Sequence, residues 1–144
     1  MIYIGIDPGK KGGVAIISDK KTEAYAYSDE VLIELMKSIK DKEVVVCLEY
    51  VHSMPKQGVV STFSFGKSAG FIEGVLQAFS IPYQLIRPQR WKAEFSLTGS
   101  KQKSVDVCRK LFPKVNLLAT ERSRVPHDGM AEALLMAEYA KRKL

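Results

Sequence analysis

The chain has 144 residues, 46% hydrophobic and 26% charged, which fits one globular domain over 1–144 with a core that needs no disulfide or metal to hold it. No apolar run approaches the roughly 20 residues that cross a bilayer. The opening MIYIGIDPG has neither the basic start nor the cleavage site of a secretory signal, and Cys47 and Cys108 are isolated, without CxxC spacing, so a reducing, cytoplasmic setting is expected and no membrane. The net charge of +6 is unevenly placed: Arg87 to Arg124 holds ten basic residues against three acids, a net +7, which leaves −1 for the rest. Such segregation suits a polyanion partner as well as it suits a plain basic surface.

Residues 2–7 are mostly apolar, as a central strand covered on both faces is. GGVAIIS (12–18) and TEAYAYS (22–28) read as two more strands, joined by a turn at Asp19-Lys20-Lys21, which makes a three-stranded meander. Ser28 or Asp29 caps a helix running to about Ile39, with Val31, Leu32, Leu35 and Ile39 on one stripe. EVVVCLE (43–49) is a buried strand, and 50–58 a polar loop. A long helix over 59–80 carries Gly66, Gly70 and Gly74 on one face. Each costs about 1 kcal/mol in a helix interior, so a close backbone approach is expected there; packing within the chain is the favoured reading and a dimer contact the sharper one. PYQLIR (82–87) is a final strand. The polar, basic stretch after Arg87 receives no element until a helix over 103–112. Residues 113–126 read as loop, and the last helix runs from His127 to Lys141. The order predicts an α/β fold: a mixed five-stranded sheet, antiparallel meander plus parallel strands, flanked by helices.

Three places put acids where burial is expected. Asp7 ends the first strand, Glu49 ends the strand after the first helix, and Asp128 and Glu132 sit one turn apart at the start of the last helix. If those two strands are parallel neighbours, Asp7 and Glu49 lie side by side at the carboxyl ends, where α/β sheets bind ligands. Clustered carboxylates repel, and burial favours their protonation. A divalent cation relieves both, and oxygen-only ligands suit Mg²⁺ or Mn²⁺. Two such ions about 4 Å apart activate a water and stabilise the leaving oxygen of a phosphodiester. Taken singly each acid has a plainer role: Asp7 before Pro-Gly as a turn residue, Glu49 as a strand-end surface acid, Asp128 as a helix N-terminal acid, Glu132 as a solvated flank. Their combination favours the metal site, and the glycines after Asp7 are expected to keep side chains clear of a substrate backbone.

IGIDPGKKGGVAII, LEYVHSMPKQGVVSTFSFGKSAGFIEG, RPQRWKAEFSLTGSKQKSV and HDGMAEALLMAEYA, in that order, resemble the RuvC-like Holliday-junction resolvases of the RNase H-like superfamily, especially short bacteriophage members. The resemblance implies an RNase H-like nuclease domain with Asp7, Glu49, Asp128 and Glu132 as its catalytic and metal-binding tetrad. It implies two Mg²⁺ ions per site, with Mn²⁺ able to substitute, and no small-molecule cofactor. The last two acids depart from the family pattern: they are four residues apart here rather than three, with His127 a further ligand candidate. The resemblance also places a homodimer interface on the glycine-bearing helix.

By the same resemblance the substrate is branched DNA. Lys92 and Lys103 fall where family lysines contact DNA, and an aromatic near the second acid stacks on a base at the branch. Tyr50 and His52 suit that place, while Phe63 and Phe65 are expected in the helix core, as is Trp91. Tyr50, His52, Lys56, Arg87, Arg90, Lys92, Lys101, Lys103 and Lys110 are the expected DNA-binding residues. Phosphate contacts then supply most of the affinity and branch shape the selectivity. The expected activity is paired phosphodiester hydrolysis at a four-way junction by an endodeoxyribonuclease. A looser branched-DNA or fork nuclease and a catalytically inert nucleic-acid-binding module are the alternatives. The setting implied is a bacterial host cell and a phage-encoded protein.

Overall fold

The computed structural model describes residues 1–52, 55–97 and 101–144. In chain order the elements are β1 (Ile2–Asp7), β2 (Gly13–Ile17), β3 (Thr22–Ala26), α1 (Asp29–Ile39), β4 (Val44–Glu49), α2 (Val59–Ala78), β5 (Tyr83–Ile86), α3 (Pro88–Glu94), α4 (Lys101–Leu111) and α5 (Asp128–Lys143). The five strands form one sheet in the order β3-β2-β1-β4-β5. β1, β2 and β3 pair antiparallel, whereas β1–β4 and β4–β5 are parallel. This is the mixed sheet that the sequence predicts.

Period-two alternation divides the sheet's side chains between two cores. Ile4, Ile6, Val14, Ile16, Val46 and Leu48 pack on one face against Leu32, Leu35, Met36 and Ile39 of α1 and Ile72 and Leu76 of α2. Ala15, Ile17, Cys47 and Ile86 point the other way, toward Trp91 of α3, Val105 and Cys108 of α4, and the apolar length of α5. Ser28 caps α1 as expected: its Oγ accepts the Val31 N–H at 3.1 Å. Met36 rather than Val31 completes the buried stripe.

α5 is buried nearly all round, with residues 129–137 all inaccessible or close to it. It lies directly on β1 and β2, and Gly5 explains how: a Cβ there would overlap the Ala133 carbonyl oxygen of α5. At the start of the helix Gly13 and Gly129 meet backbone to backbone in the same way. Of the glycines after Asp7, Gly13 admits the N-terminus of α5, Gly12 closes the turn onto the Asp7 carbonyl, and a Cβ on Gly9 would meet open space.

Two expectations need correction. A helix, α3, occupies the basic stretch assigned no element. Pro88 opens it, where a proline's missing N–H costs nothing, and its apolar stripe is too short to show as periodicity. The second concerns Gly66, Gly70 and Gly74, which do not pack within the chain. A Cβ at any of them would meet open space, because α2 is anchored from its opposite side.

Candidate active site

The pairing of Ile6 with Leu48 sets β1 and β4 in register, so Asp7 and Glu49 follow side by side at the carboxyl ends. Both have the parity of Gly5 and Cys47, whose face carries α5. Glu132, four residues into α5, is buried to 9% exposure. Asp7, Glu49 and Glu132 line one open cleft of about 820 Å³ together with the Pro8–Gly12 turn, Lys92, and residues of α2. A second cavity of about 290 Å³ adjoins it, lined by Asp128 and His127 and again by Asp7 and Glu132. Asp7 and Glu132 are thus common to both, with Glu49 on one side and Asp128 on the other.

Electrostatics set Glu49 apart. Burial pushes its carboxyl above the usual carboxylate range, and the Glu132 charge pushes the same way; the Trp91 indole and the Lys92 ammonium pull against them. Trp91 Nε1 donates to Glu49 Oε2 at 2.8 Å. The Cys47 thiol, buried nearby, is pushed up to about 12 by desolvation first and the Glu49 charge second, so it stays protonated and takes no part. His127 caps α5, its Nδ1 accepting the Met130 N–H at 3.1 Å, which leaves Nε2 for any other role.

Among the described residues no three His, Cys, Asp or Glu side chains stand close enough to hold an ion between them. The four acids share a neighbourhood without forming a closed cage. The chemistry of the set still fits a hard cation: the donors are all carboxylate oxygens, and a carboxyl raised first by burial and then by a neighbouring acid is one whose charge a divalent cation would favour.

Of the residues expected to touch DNA, Lys92 lines the cleft. Tyr50 and His52 stack, ring centroids 5.9 Å apart and 21° between planes, and the Arg87 guanidinium lies 5.5 Å from the Tyr50 centroid. These three make one exposed cation–aromatic array just beyond Glu49. Lys56, Arg90, Lys103 and Lys110 are exposed outside the cleft, and the Lys101 side chain lies outside the described residues. Phe63 and Phe65 are not core: they are 71% and 37% exposed, and Phe65 lines the cleft. Trp91 is core, fully buried, as expected.

Sequence reasoning passed over Lys10 and Lys11, which line the cleft from the turn after Asp7. The signal was in DPGKKGG, a basic pair attached to the strand-end acid. It also passed over Ser61, Ser64 and Ser68, which turn one hydroxyl-bearing side of α2 toward the same space.

No protein-family profile and no curated protein matches the chain. Solved structures do. Thermus thermophilus RuvC aligns with a TM-score of 0.61 at 16% identity, over 99% of this chain and 96% of RuvC. The fold is that of RuvC. T. thermophilus RuvC in complex with a Holliday junction substrate aligns with a TM-score of 0.63 at 15% identity, over 99% and 97% of the two chains. The yeast mitochondrial Holliday junction resolvase Ydc2 aligns more loosely, with a TM-score of 0.48 at 16% identity over 98% and 83%. The match to RuvC covers nearly the whole of both chains. No helix among the described residues is long and apolar enough to cross a membrane.

Proposed function

We propose that the protein is a divalent-metal-dependent endonuclease that resolves four-way DNA junctions by paired phosphodiester hydrolysis. The observation that carries this reading is that Asp7, Glu49 and Glu132, from three separate elements, line one open cleft together with Lys10, Lys11 and Lys92. Acids at the floor suit Mg²⁺ or Mn²⁺; lysines at the rim suit a phosphodiester. The RuvC fold supports the same reading, and one RuvC structure that this chain matches is a complex with a Holliday junction.

Asp7, Glu49 and Glu132 would hold the metal, with Asp128 reaching from the adjoining cavity. Two ions there would supply a water of lowered pKa and charge stabilisation of the leaving oxygen. The chain's own part is to bind and orient. Lys10, Lys11 and Lys92 neutralise the phosphate, and the Tyr50–His52–Arg87 array offers a π-surface to an unpaired base at the branch. Lys103 and Lys110 on α4 extend the basic surface along an arm.

Two symmetric cuts need two sites, hence a twofold homodimer. Val59, Phe63, Gly66, Gly70 and Gly74 follow one another at helical spacing on the side of α2 away from Ile72 and Leu76, and all are exposed. An apolar face without bulk at its centre suits close approach of a second α2.

The deciding experiment presents a mobile four-way junction, a fork and a plain duplex to the protein in Mg²⁺. Paired symmetric nicks on the junction alone are expected. Equal cutting of forks would leave a less selective branched-DNA nuclease, and junction binding without cutting in Mg²⁺ or Mn²⁺ would reduce the protein to a binding module.

A further inference from the structure

We propose that Trp91 is a positioning residue for the metal site: its indole N–H holds Oε2 of Glu49 and leaves Oε1 as the oxygen presented to a cation. This rests on the metal reading above and adds a part that the acids alone do not contain.

Trp91 is fully buried, packed in the core formed by α3, α4 and α5 under the sheet. A buried indole N–H needs an acceptor, since an unpaired buried donor forfeits its hydration with nothing in return. Its partner is the strand-end Glu49, 2.8 Å away and 42 residues earlier in the chain. Phenylalanine would fill much of the same core without donating. A tryptophan at this position therefore does something for Glu49 that packing does not require.

Glu49 needs it. Its carboxyl stands at the end of β4, and rotation about its side-chain bonds would let it swing between the cleft and the small cavity behind it, which it also lines. The indole is locked by the surrounding core, so a charge-assisted hydrogen bond from it fixes one oxygen and with it the carboxylate plane. Groups that orient a ligating side chain in this way typically matter 10–100-fold for metal affinity when removed. The same short helix sets the Lys92 ammonium 5.6 Å from the Trp91 ring centroid, so α3 brings both a rim cation and a buried donor to one acid.

Trp91 is the only tryptophan in the chain, so its emission reports this hydrogen bond directly. In the test, Mg²⁺ is titrated into the DNA-free full-length protein while fluorescence and heat of binding are recorded. A saturable change in Trp91 emission that tracks the calorimetric isotherm is expected in the wild type. The emission change is expected to vanish in Glu49→Gln. Trp91→Phe is expected to bind Mg²⁺ at least tenfold more weakly by calorimetry, while binding a four-way junction in EDTA as the wild type does. A merely structural role would not separate those two readouts. Calorimetric binding with unaltered emission, or undiminished Mg²⁺ affinity in Trp91→Phe, overturns the proposal and leaves the nuclease reading standing. Absence of any Mg²⁺ binding by the wild type, with no junction cutting, overturns both. Should Trp91→Phe not fold, the wild-type and Glu49→Gln titrations decide alone.

Discussion

Asp7 and Glu49 stand side by side, each one residue beyond the paired Ile6 and Leu48 of two parallel strands. Two acids at adjacent strand ends, with Glu132 brought in from α5, are an arrangement that folding alone would not favour. Stability given up at a site is usually a sign of function.

The first prediction follows from that cost. The Glu49 carboxyl is raised in the folded protein, chiefly by desolvation. Below the unfolded-state value both states are protonated and no penalty exists. As pH rises through that value the unfolded chain ionises first, so stability falls until the folded value is passed and stays lowered above it. Glu49→Gln removes the penalty and keeps an acceptor for the Trp91 N–H. Without metal it is expected to melt roughly 2–4 °C above the wild type at pH 8, the shift that about 1 kcal/mol produces in a domain somewhat larger than this one. The gap should close near pH 4. Melting curves at the two pH values check this, and a gap that widens toward acid would contradict the assignment.

A second prediction separates chemistry from binding. Asp7 borders both cavities, as Glu132 does, and ends the strand at the centre of the sheet. Asp7→Asn keeps the shape and removes the charge. Cleavage of a four-way junction in Mg²⁺ is expected to fall to background, while the affinity measured by gel shift in EDTA stays within about twofold. Full cutting by this variant would remove Asp7 from the site.

The third concerns the basic surface. Lys103 is exposed on α4 and lies outside the cleft. If it meets a phosphate on a junction arm, Lys103→Ala lowers the slope of log K against log salt by about 1, with cleavage of bound substrate unaffected. Lys92→Ala, inside the cleft, is expected to lower the slope similarly and to slow cleavage as well. Slopes measured between 50 and 200 mM salt test both; an unchanged slope for Lys103→Ala would make it plain solvated surface.

How far the fold was legible depended on period. Strands β1, β2 and β4 announce themselves because each is an apolar run with turn residues beside it, and α1 because Ser28 and its stripe agree. α3 was not legible: seven residues with one fully buried side chain carry no period. The strand-end acids stood out because a carboxylate is out of place in an apolar run, and parallel pairing then made them neighbours. The approach of Glu132 to them was beyond the sequence, since it depends on how closely α5 lies on β1, which Gly5 decides. Phe63 was misjudged because helical spacing does not say which face of a helix meets the sheet. The Trp91–Glu49 bond, spanning 42 positions, leaves no mark in local pattern at all.

The same ambiguity over faces gives the last prediction. Gly5 and Gly70 are both glycines in regular elements, yet their surroundings are opposite. A Cβ on Gly5 runs into α5 backbone, whereas one on Gly70 meets nothing. Gly5→Ala is therefore expected to destabilise the fold by about 1–3 kcal/mol, as overpacking of a core does. Gly70→Ala should stabilise the isolated chain by up to about 1 kcal/mol through helix propensity. If α2 meets a second α2 across its glycine face, bulk there has a separate effect. Gly70→Leu is expected to sediment as a monomer at concentrations where the wild type is a dimer, to melt no lower than the wild-type monomer, and to nick junctions on one strand without the paired second cut. A wild type that is monomeric at micromolar concentration, or a Gly70→Leu variant that still dimerises, would move the interface away from α2 and leave its exposed Val59 and Phe63 to face the DNA.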